Sequence, residues 1–495
     1  LFTGCASVPK DYPRALSTAF PDYLDTSIGR LFEEAAVEHP GESGFAIIRH
    51  GRQAFTARVA ITELAEKSLD VQYYIWEADA TGRILAERLM RAADRGVRVR
   101  VLVDDINLMG RDALVAAMDA HPNIEIHVFN PFAHRDLRGF DFLTDLKRVN
   151  HRMHNKLMVM DNAVAIVGGR NIGNHYFEVA TEANFRDLDI AAAGPVVREI
   201  SDVFDHFWNG DWAVPIGALV DRPYTEADLR SVRETVRARI AEDPYPYPLD
   251  QDIAALRSEL VAIRDRFIWA PGRIVWDDPA AIDEGITDGK LVAALSRKIQ
   301  TMQRELLIES AYFVIRDYGV EGAKMLKERG VRVRVLTNSL ASNDVVAAHA
   351  GYAKRRDQLV ANGVELYELR ADAGVVNKKI ASGTSKAALH TKAVVFDREA
   401  VFIGSYNLDP RSAAINTEAG LYVESPELAE QVIAYMDEGV RPENSYRVLL
   451  DEEGALAWVT EVDGVEVRYD EDPESTFGQR FLSGFIEILP VEDQL

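Results

Sequence analysis

Two short stretches of the chain carry the same reactive set. His154, Lys156 and Asp161 stand in a His-x-Lys-x4-Asp pattern, and His390, Lys392 and Asp397 repeat it. A glycine-rich turn ending in asparagine follows each: Gly168-Gly169-Arg170-Asn171 after the first, Gly404-Ser405-Tyr406-Asn407 after the second. Side chains two apart on a strand share a face, so each His projects with its Lys. Each Asp falls at the strand end, before a tight turn. Cleaving a phosphodiester takes a nucleophile, an acid for the leaving oxygen, and cations or donors around the phosphoryl oxygens. Two imidazoles supply the first two. Lys156, Lys392, Asn171, Asn407, Ser405 and the backbone opened by Gly169 supply the third. This chemistry calls for no metal and no cofactor.

The elements that must hold these residues are themselves duplicated. Gly96-Val97-Arg98-Val99-Arg100-Val101-Leu102 recurs as Gly330-Val331-Arg332-Val333-Arg334-Val335-Leu336, and the reactive motifs and their glycine turns recur at nearly the same offset. Several anchors at one offset indicate a doubled domain, not a short-period solenoid. In the first half the patterning predicts a helix over 56–69, a strand from Val71 to Trp76, a helix over 81–95 stopped by Gly96, and a strand from Val97 to Val103. In the second it predicts a helix over 290–303, a strand over 305–314, a helix over 319–329 and a strand over 331–337. Alternation of this kind predicts an α/β fold: two homologous domains, each a mixed sheet flanked by helices, related by a pseudo-two-fold with one site between them. The expected divisions are an N-terminal segment 1–30, a first domain 31–223, a helical, proline-rich connector 224–265 holding Pro244, Pro246 and Pro248, and a second domain 266–495 with a C-terminal extension. The short apolar patch Ile486 to Leu489 near the end is assigned no chemistry.

Composition narrows the partners. Lys and Arg number 56 against 79 Asp and Glu, a net charge of −23. Such a surface repels polyanions, so nucleic acid is not an expected partner. The single cysteine, Cys5, excludes an intrachain disulfide and cysteine-rich zinc sites. No apolar run approaches the ~18 residues of a membrane span. Cys5 follows Leu1-Phe2-Thr3-Gly4, which resembles the lipobox of a bacterial lipoprotein. Lipidation there would tether the protein to the periplasmic side of a membrane, and Ala6-Ser7 after it, with no Asp, does not favour inner-membrane retention.

The paired motif resembles the phospholipase D superfamily, and the wider wording resembles its bacterial cardiolipin synthase branch, above all the C-type enzymes. Asp70-Val71-Gln72-Tyr73-Tyr74-Ile75-Trp76, Arg152-Met153-His154-Asn155-Lys156, Gly168 to Gly173 and Gly404 to Ser412 carry the likeness. It covers most of the chain from about residue 30. The resemblance implies a covalent phosphohistidine intermediate, with His154 as nucleophile and His390 as acid and base. It also implies an acidic residue after each motif that orients its His; alignment of Pro195 with Pro426 makes these Asp187 and Glu418. His175 stands where related sequences often carry an acid.

The expected activity is phosphatidyl transfer that makes cardiolipin from phosphatidylglycerol and a second phospholipid, phosphatidylglycerol or phosphatidylethanolamine, at a membrane surface of the bacterial envelope. Hydrolysis to phosphatidic acid by the same site is the first alternative, a nuclease the second, and a non-catalytic envelope protein the third. A protein partner is not specified. Other residues have plainer readings. His151 and His154 face opposite sides of a strand and so make a poor metal pair. Asp104-Asp105 and Asp277-Asp278 fit a strand-end turn and a loop better than Mg²⁺ sites. Arg98, Arg100, Arg332 and Arg334 fit strand-face ion pairs. The loop from Phe129 to Lys156 mixes aromatic residues with Arg135, Arg138 and Arg148, a composition suited to anionic headgroups.

Overall fold

The computed structural model describes residues 7–249, 252–283, 290–376, 385–476, 478–480 and 482–483. Cys5 and the apolar patch Ile486 to Leu489 lie outside the described residues. The duplication expected from the sequence is present as two large mixed sheets, of nine and ten strands. In the first, parallel strands Ser68–Tyr73, Arg98–Asp104 and Ile124–Phe129 lie side by side, and an antiparallel hairpin, Leu157–Met160 with Val164–Gly168, joins at Ser68–Tyr73. The second repeats this order with Glu305–Ser310, Arg332–Asn338 and Glu365–Leu369, and the hairpin Lys392–Phe396 with Ala400–Gly404. The chain leaves the first sheet at Ile268–Ala270 and enters the second at Gly272–Trp276.

The sheets face each other across a shared core. Helix Pro195–Asn209 from one half and helix Pro426–Gly439 from the other each begin with proline, whose missing N–H costs nothing in a first helical turn. Their inward residues, among them Val196, Ile200, Phe204, Leu428 and Val432, are fully buried with Leu157, Val159, Val395 and Ile403 of the two hairpins. Burial at ~25 cal/mol per Å² of apolar surface makes this one cooperative interface, not a loose contact of two domains. Separate outer cores back each sheet on its far side. The connector forms two helices, Glu226–Glu242 and Ile253–Arg264, which bury Leu229, Val236, Leu256 and Leu260 in the outer core of the first half.

The helix predicted over 56–69 differs from its expected position. It runs Gly51–Leu64, and the strand after it opens at Ser68. The segment between is needed elsewhere: the backbone N–H groups of Glu66, Lys67 and Ser68 all donate to the Asp161 carboxylate, at 2.7–3.0 Å. Such a collar is incompatible with another helical turn. Three of the four repeated arginines are strand-face ion pairs, while Arg98 keeps buried Nε and Nη2 without a protein partner. Arg100 is buried between Asp70 and Asp205 at 2.7 Å each, Arg332 pairs with Glu365, and Arg334 with Asp437.

Candidate active site

The hairpins deliver the two motifs to the seam between the halves. His154 and His390 each sit just ahead of the first hairpin strand, not within it. Their backbones are held by the opposite half. His154 N–H donates to the Thr417 carbonyl at 2.9 Å, and His390 N–H to the Arg186 carbonyl at 2.8 Å. Around the second contact a short parallel ladder forms across the seam, Lys386–Leu389 with Ala183–Arg186.

The residue after each of those carbonyls is a buried acid, and the acids cross over. Glu418 of the second half places its two carboxylate oxygens 3.0 and 2.9 Å from Nδ1 of His154. Asp187 of the first half lies 2.6 Å from Nδ1 of His390. The sequence reading paired each acid with the His of its own repeat; the structure pairs it with the other. The Ser405 carbonyl also faces Nδ1 of His154, at 3.1 Å. Surrounded by acceptors, Nδ1 must carry the proton in each ring, which leaves Nε2 as the nitrogen free to attack or to exchange a proton.

Both lysines lie buried against these rings. Lys156 Nζ donates to the carbonyl of His154, and Lys392 Nζ to that of His390 at 2.5 Å. Lys156 also lies 5.3 Å from the centre of the Tyr74 ring, within cation–π range. Burial, reinforced by both ammonium groups, pushes each imidazole well below the ordinary His range, so both are neutral near pH 7. Burial lowers Lys392 to about 8 and drives Lys156 well down from its ordinary value. It raises Glu418 to about 7 against the pull of Lys156, and it raises Asp187 against Lys392. A phosphodiester bound beside the rings would bring negative charge that raises their proton affinity.

The glycine turns support the acids. A Cβ on Gly169 would lie 2.2 Å from an oxygen of Asp187, so glycine is required for that carboxylate to approach. The hydroxyl of Ser405, at the matching position, donates to Glu418. Asn171 does not present its amide to the site. Its Oδ1 accepts from Ile75 N–H at 3.1 Å and its Nδ2 donates to the Tyr176 hydroxyl at 3.0 Å. Asn407 keeps a buried Oδ1 without a protein partner.

Asp161 and Asp397, read from the sequence as catalytic, do not join the cluster. They sit at the hairpin tips in left-handed backbone conformation, φ 53° and 55°. Asp397 accepts from the N–H groups of Gln303, Arg304 and Glu305 at 2.8–3.1 Å, as Asp161 does from its own collar. A short acid tolerates that conformation and ties the hairpin to the adjoining strand; its role is architectural. The pattern His-x-Lys-x4-Asp therefore spans one strand, with chemistry at one end and a fold constraint at the other.

The arginines of the loop before His154 are also spoken for. Arg135 and Arg138 grip Asp105 and Asp112, and Arg148 grips Asp145, Asn130 and the Pro131 carbonyl. They lock the loop and are not offered to headgroups. Asp104 holds Arg152 at 3.0 Å and Met153 N–H at 2.9 Å, directly behind His154. Asp277 accepts from the N–H of Glu418 at 3.2 Å. His151 Nδ1 donates to the Ile415 carbonyl at 2.6 Å, and His175 Nδ1 to that of Ala183 at 2.8 Å.

Sequence reasoning missed the aromatic walls. Tyr74 meets His154 edge-on with ring centres 4.9 Å apart, and Tyr176 meets His390 the same way at 5.1 Å, with Phe185 at 5.2 Å. Tyr74 follows directly on the strand Ser68–Tyr73, a position that could have marked it; Tyr176 carries no local signal.

Comparison with known proteins agrees with the duplication. A family model described as "Cardiolipin synthase, PLD-like domain" matches residues 60–208 and again 295–439, one match per half. The chain is 38% identical to cardiolipin synthase C of Escherichia coli K12, over 92% of this chain and 97% of that protein. It is 30% identical to an uncharacterized protein of Helicobacter pylori 26695, over 99% and 97%. Among solved structures, phosphatidylserine synthase from Haemophilus influenzae Rd KW20 superposes with a TM-score of 0.55 at 16% identity, covering 84% of this chain and 91% of that one, a likeness of fold.

Proposed function

This chain belongs to the cardiolipin synthase family of phospholipase D-like enzymes, and we propose that it moves a phosphatidyl group from one phospholipid to the glycerol headgroup of phosphatidylglycerol, yielding cardiolipin. The donor is phosphatidylglycerol or phosphatidylethanolamine. The observation that carries the reading is the crossed pair of His–carboxylate contacts, Glu418 on His154 and Asp187 on His390, with two buried lysines between them.

In the first step Nε2 of His154 attacks phosphorus, the bond from phosphorus to the departing headgroup oxygen breaks, and His390, protonated at Nε2 once the anionic phosphodiester is bound beside it, gives that oxygen a proton. In the second, His390 takes the proton of the acceptor hydroxyl as its oxygen attacks phosphorus, and the bond to His154 breaks. Lys156 and Lys392 face the phosphoryl oxygens through both steps. The choice of His154 as nucleophile follows the resemblance and is supported by its Nδ1, which faces three acceptor oxygens and so keeps the lone pair on Nε2. Asp187, on a single short contact, suits the imidazolium that His390 must become.

Among the described residues no helix is long and apolar enough to cross a membrane. The wording around Cys5 supports a lipid at that residue and a place on the periplasm-facing membrane surface. The test is mass spectrometry of lipids after incubation with phosphatidylglycerol and phosphatidylethanolamine vesicles, beside His154→Ala and His390→Ala. Cardiolipin from the parent alone upholds the proposal. Phosphatidic acid without cardiolipin replaces transfer by hydrolysis, and no lipid product removes phospholipid as the substrate.

A further inference from the structure

Between the strand Ile124–Phe129 and His154 the chain makes a loop with two short helices, Arg138–Thr144 and Leu146–Val149. Its arginines turn inward to the ion pairs described above. Outward, among the exposed Asp136, Thr144, Asp145 and Lys147, it presents a run of large apolar side chains. Leu143 is 83% exposed, Leu137 71%, Leu146 52% and Phe140 49%. Met109 is 71% exposed, next to Leu108, whose carbonyl accepts from Arg138. Scattered exposed leucines are ordinary, but this many within ten residues form a patch that ordinary surfaces avoid.

We propose that this loop is a membrane foot, in which Leu137, Phe140, Leu143 and Leu146 enter the boundary between headgroups and acyl chains and hold the enzyme on a lipid bilayer. The inference rests on the reading of phospholipid as substrate and adds how the protein meets it. Two observations select a bilayer as the occupant. The first is charge. The chain carries −23, which opposes approach to an anionic surface, and the loop's arginines are consumed internally. Attachment here is by apolar partition, which works on an uncharged surface and ignores salt. The second is continuity with the site. Leu146 is eight residues before His154, and the intervening chain is clamped: Arg411 holds Asn150, His151 bonds the Ile415 carbonyl, and Arg152 bonds Asp104. Phe140 rests on His134 and Phe142 on buried Phe132, with ring centres 5.0 and 5.5 Å apart, which fixes the outward set relative to that frame. A foot attached this firmly positions the catalytic cluster at a set depth.

The experiment floats the full chain with phosphatidylcholine vesicles at low and high salt. Parent and variant both carry Cys5→Ser, so that no acyl anchor contributes. The variant is Leu137→Ser with Leu143→Ser and Leu146→Ser. We expect the parent to bind at both salt levels and the variant to bind at least ~10-fold more weakly, from three leucines no longer transferred out of water. Turnover of a short-chain phospholipid below its micelle concentration should be equal in the two, which shows that the variant is folded. A second variant, Leu143→Trp, should bind as tightly as the parent or more so. Equal vesicle binding by parent and triple variant overturns the proposal. So does binding that needs anionic lipid and fades with salt, or a parent that dimerises through this face in sedimentation while ignoring vesicles. Vesicle binding by a parent that turns over no phospholipid would leave the foot standing and remove the proposed activity; turnover of monomeric lipid without vesicle binding would do the reverse.

Discussion

The two halves meet the same need, a carboxylate behind an imidazole, with different parts. Behind His390 is an aspartate, a single contact of 2.6 Å, made possible because Gly169 has no Cβ to obstruct it. Behind His154 is a glutamate, one methylene longer, which spreads both oxygens over Nδ1 and takes a further bond from the hydroxyl of Ser405. Glycine with a short acid and serine with a long one are two solutions to one distance. The difference extends outward. Thr391, beside His390, bonds Tyr435 and the Arg186 carbonyl, whereas Asn155, beside His154, keeps a buried amide without a protein partner. Symmetry of fold has been kept while the electrostatics around the two rings have diverged, as expected if one ring attacks and the other carries protons.

The harshest way to break the comparison is to remove either ring. His154→Ala and His390→Ala should each lower transfer by 10²–10⁴-fold or more, and only one of the two sites should yield a phosphorylated His peptide when a reaction is quenched in acid-free conditions. Label on His390 would reverse the assignment of roles.

Next in size is the glycine. Gly169→Ala drives a methyl into Asp187 and should cost on the order of tenfold or more in kcat, since tenfold requires only ~1.4 kcal/mol of lost transition-state stabilisation. Ser405→Ala, the same residue type at the matching position, should cost less. Steady-state kinetics on detergent-dispersed lipid compares them, and equal losses would mean that the turns are equivalent after all.

The pH profile sharpens the contrast further. Glu418 is raised to about 7 by burial, while both histidines lie well below their ordinary range. A raised carboxyl gains its proton as pH falls through about 7, so the acid limb of kcat/KM belongs to Glu418, not to a histidine. Glu418→Gln should flatten that limb, and Asp187→Asn should leave it in place. Ser405→Ala should move it to higher pH, because the hydroxyl bond that helps hold the carboxylate ionised is gone.

Smallest in chemistry are the hairpin acids. Asp161→Ala and Asp397→Ala each strand three backbone N–H donors and should lower unfolding stability by about 1–3 kcal/mol in urea melts. Turnover per folded molecule should not change. A loss as deep as that of the His variants would return these acids to the chemistry.

How much of this was legible without coordinates follows from range. The duplication, the hairpins and the His–Lys pairs are written in local spacing, and each was readable. Glu418 and Asp187 were readable as acids but not as partners, because the crossing is a fact of the seam between halves, more than 200 residues away along the chain. Asp161 was misread because spacing shows that an acid ends a strand and not which way its carboxylate turns. The arginines from 135 to 148 were misread for a related reason: composition counts charges, and only packing shows that Asp105, Asp112 and Asp145 already neutralise them. Tyr176 reaches His390 through a bond from Asn171 that no periodicity encodes.

The crossed carboxylates also bear on what a fragment of the chain can be. Each half carries a histidine and a carboxylate that do not serve each other. Cutting the chain between the repeats would separate both pairs at once, and only re-docking of the two fragments would restore them.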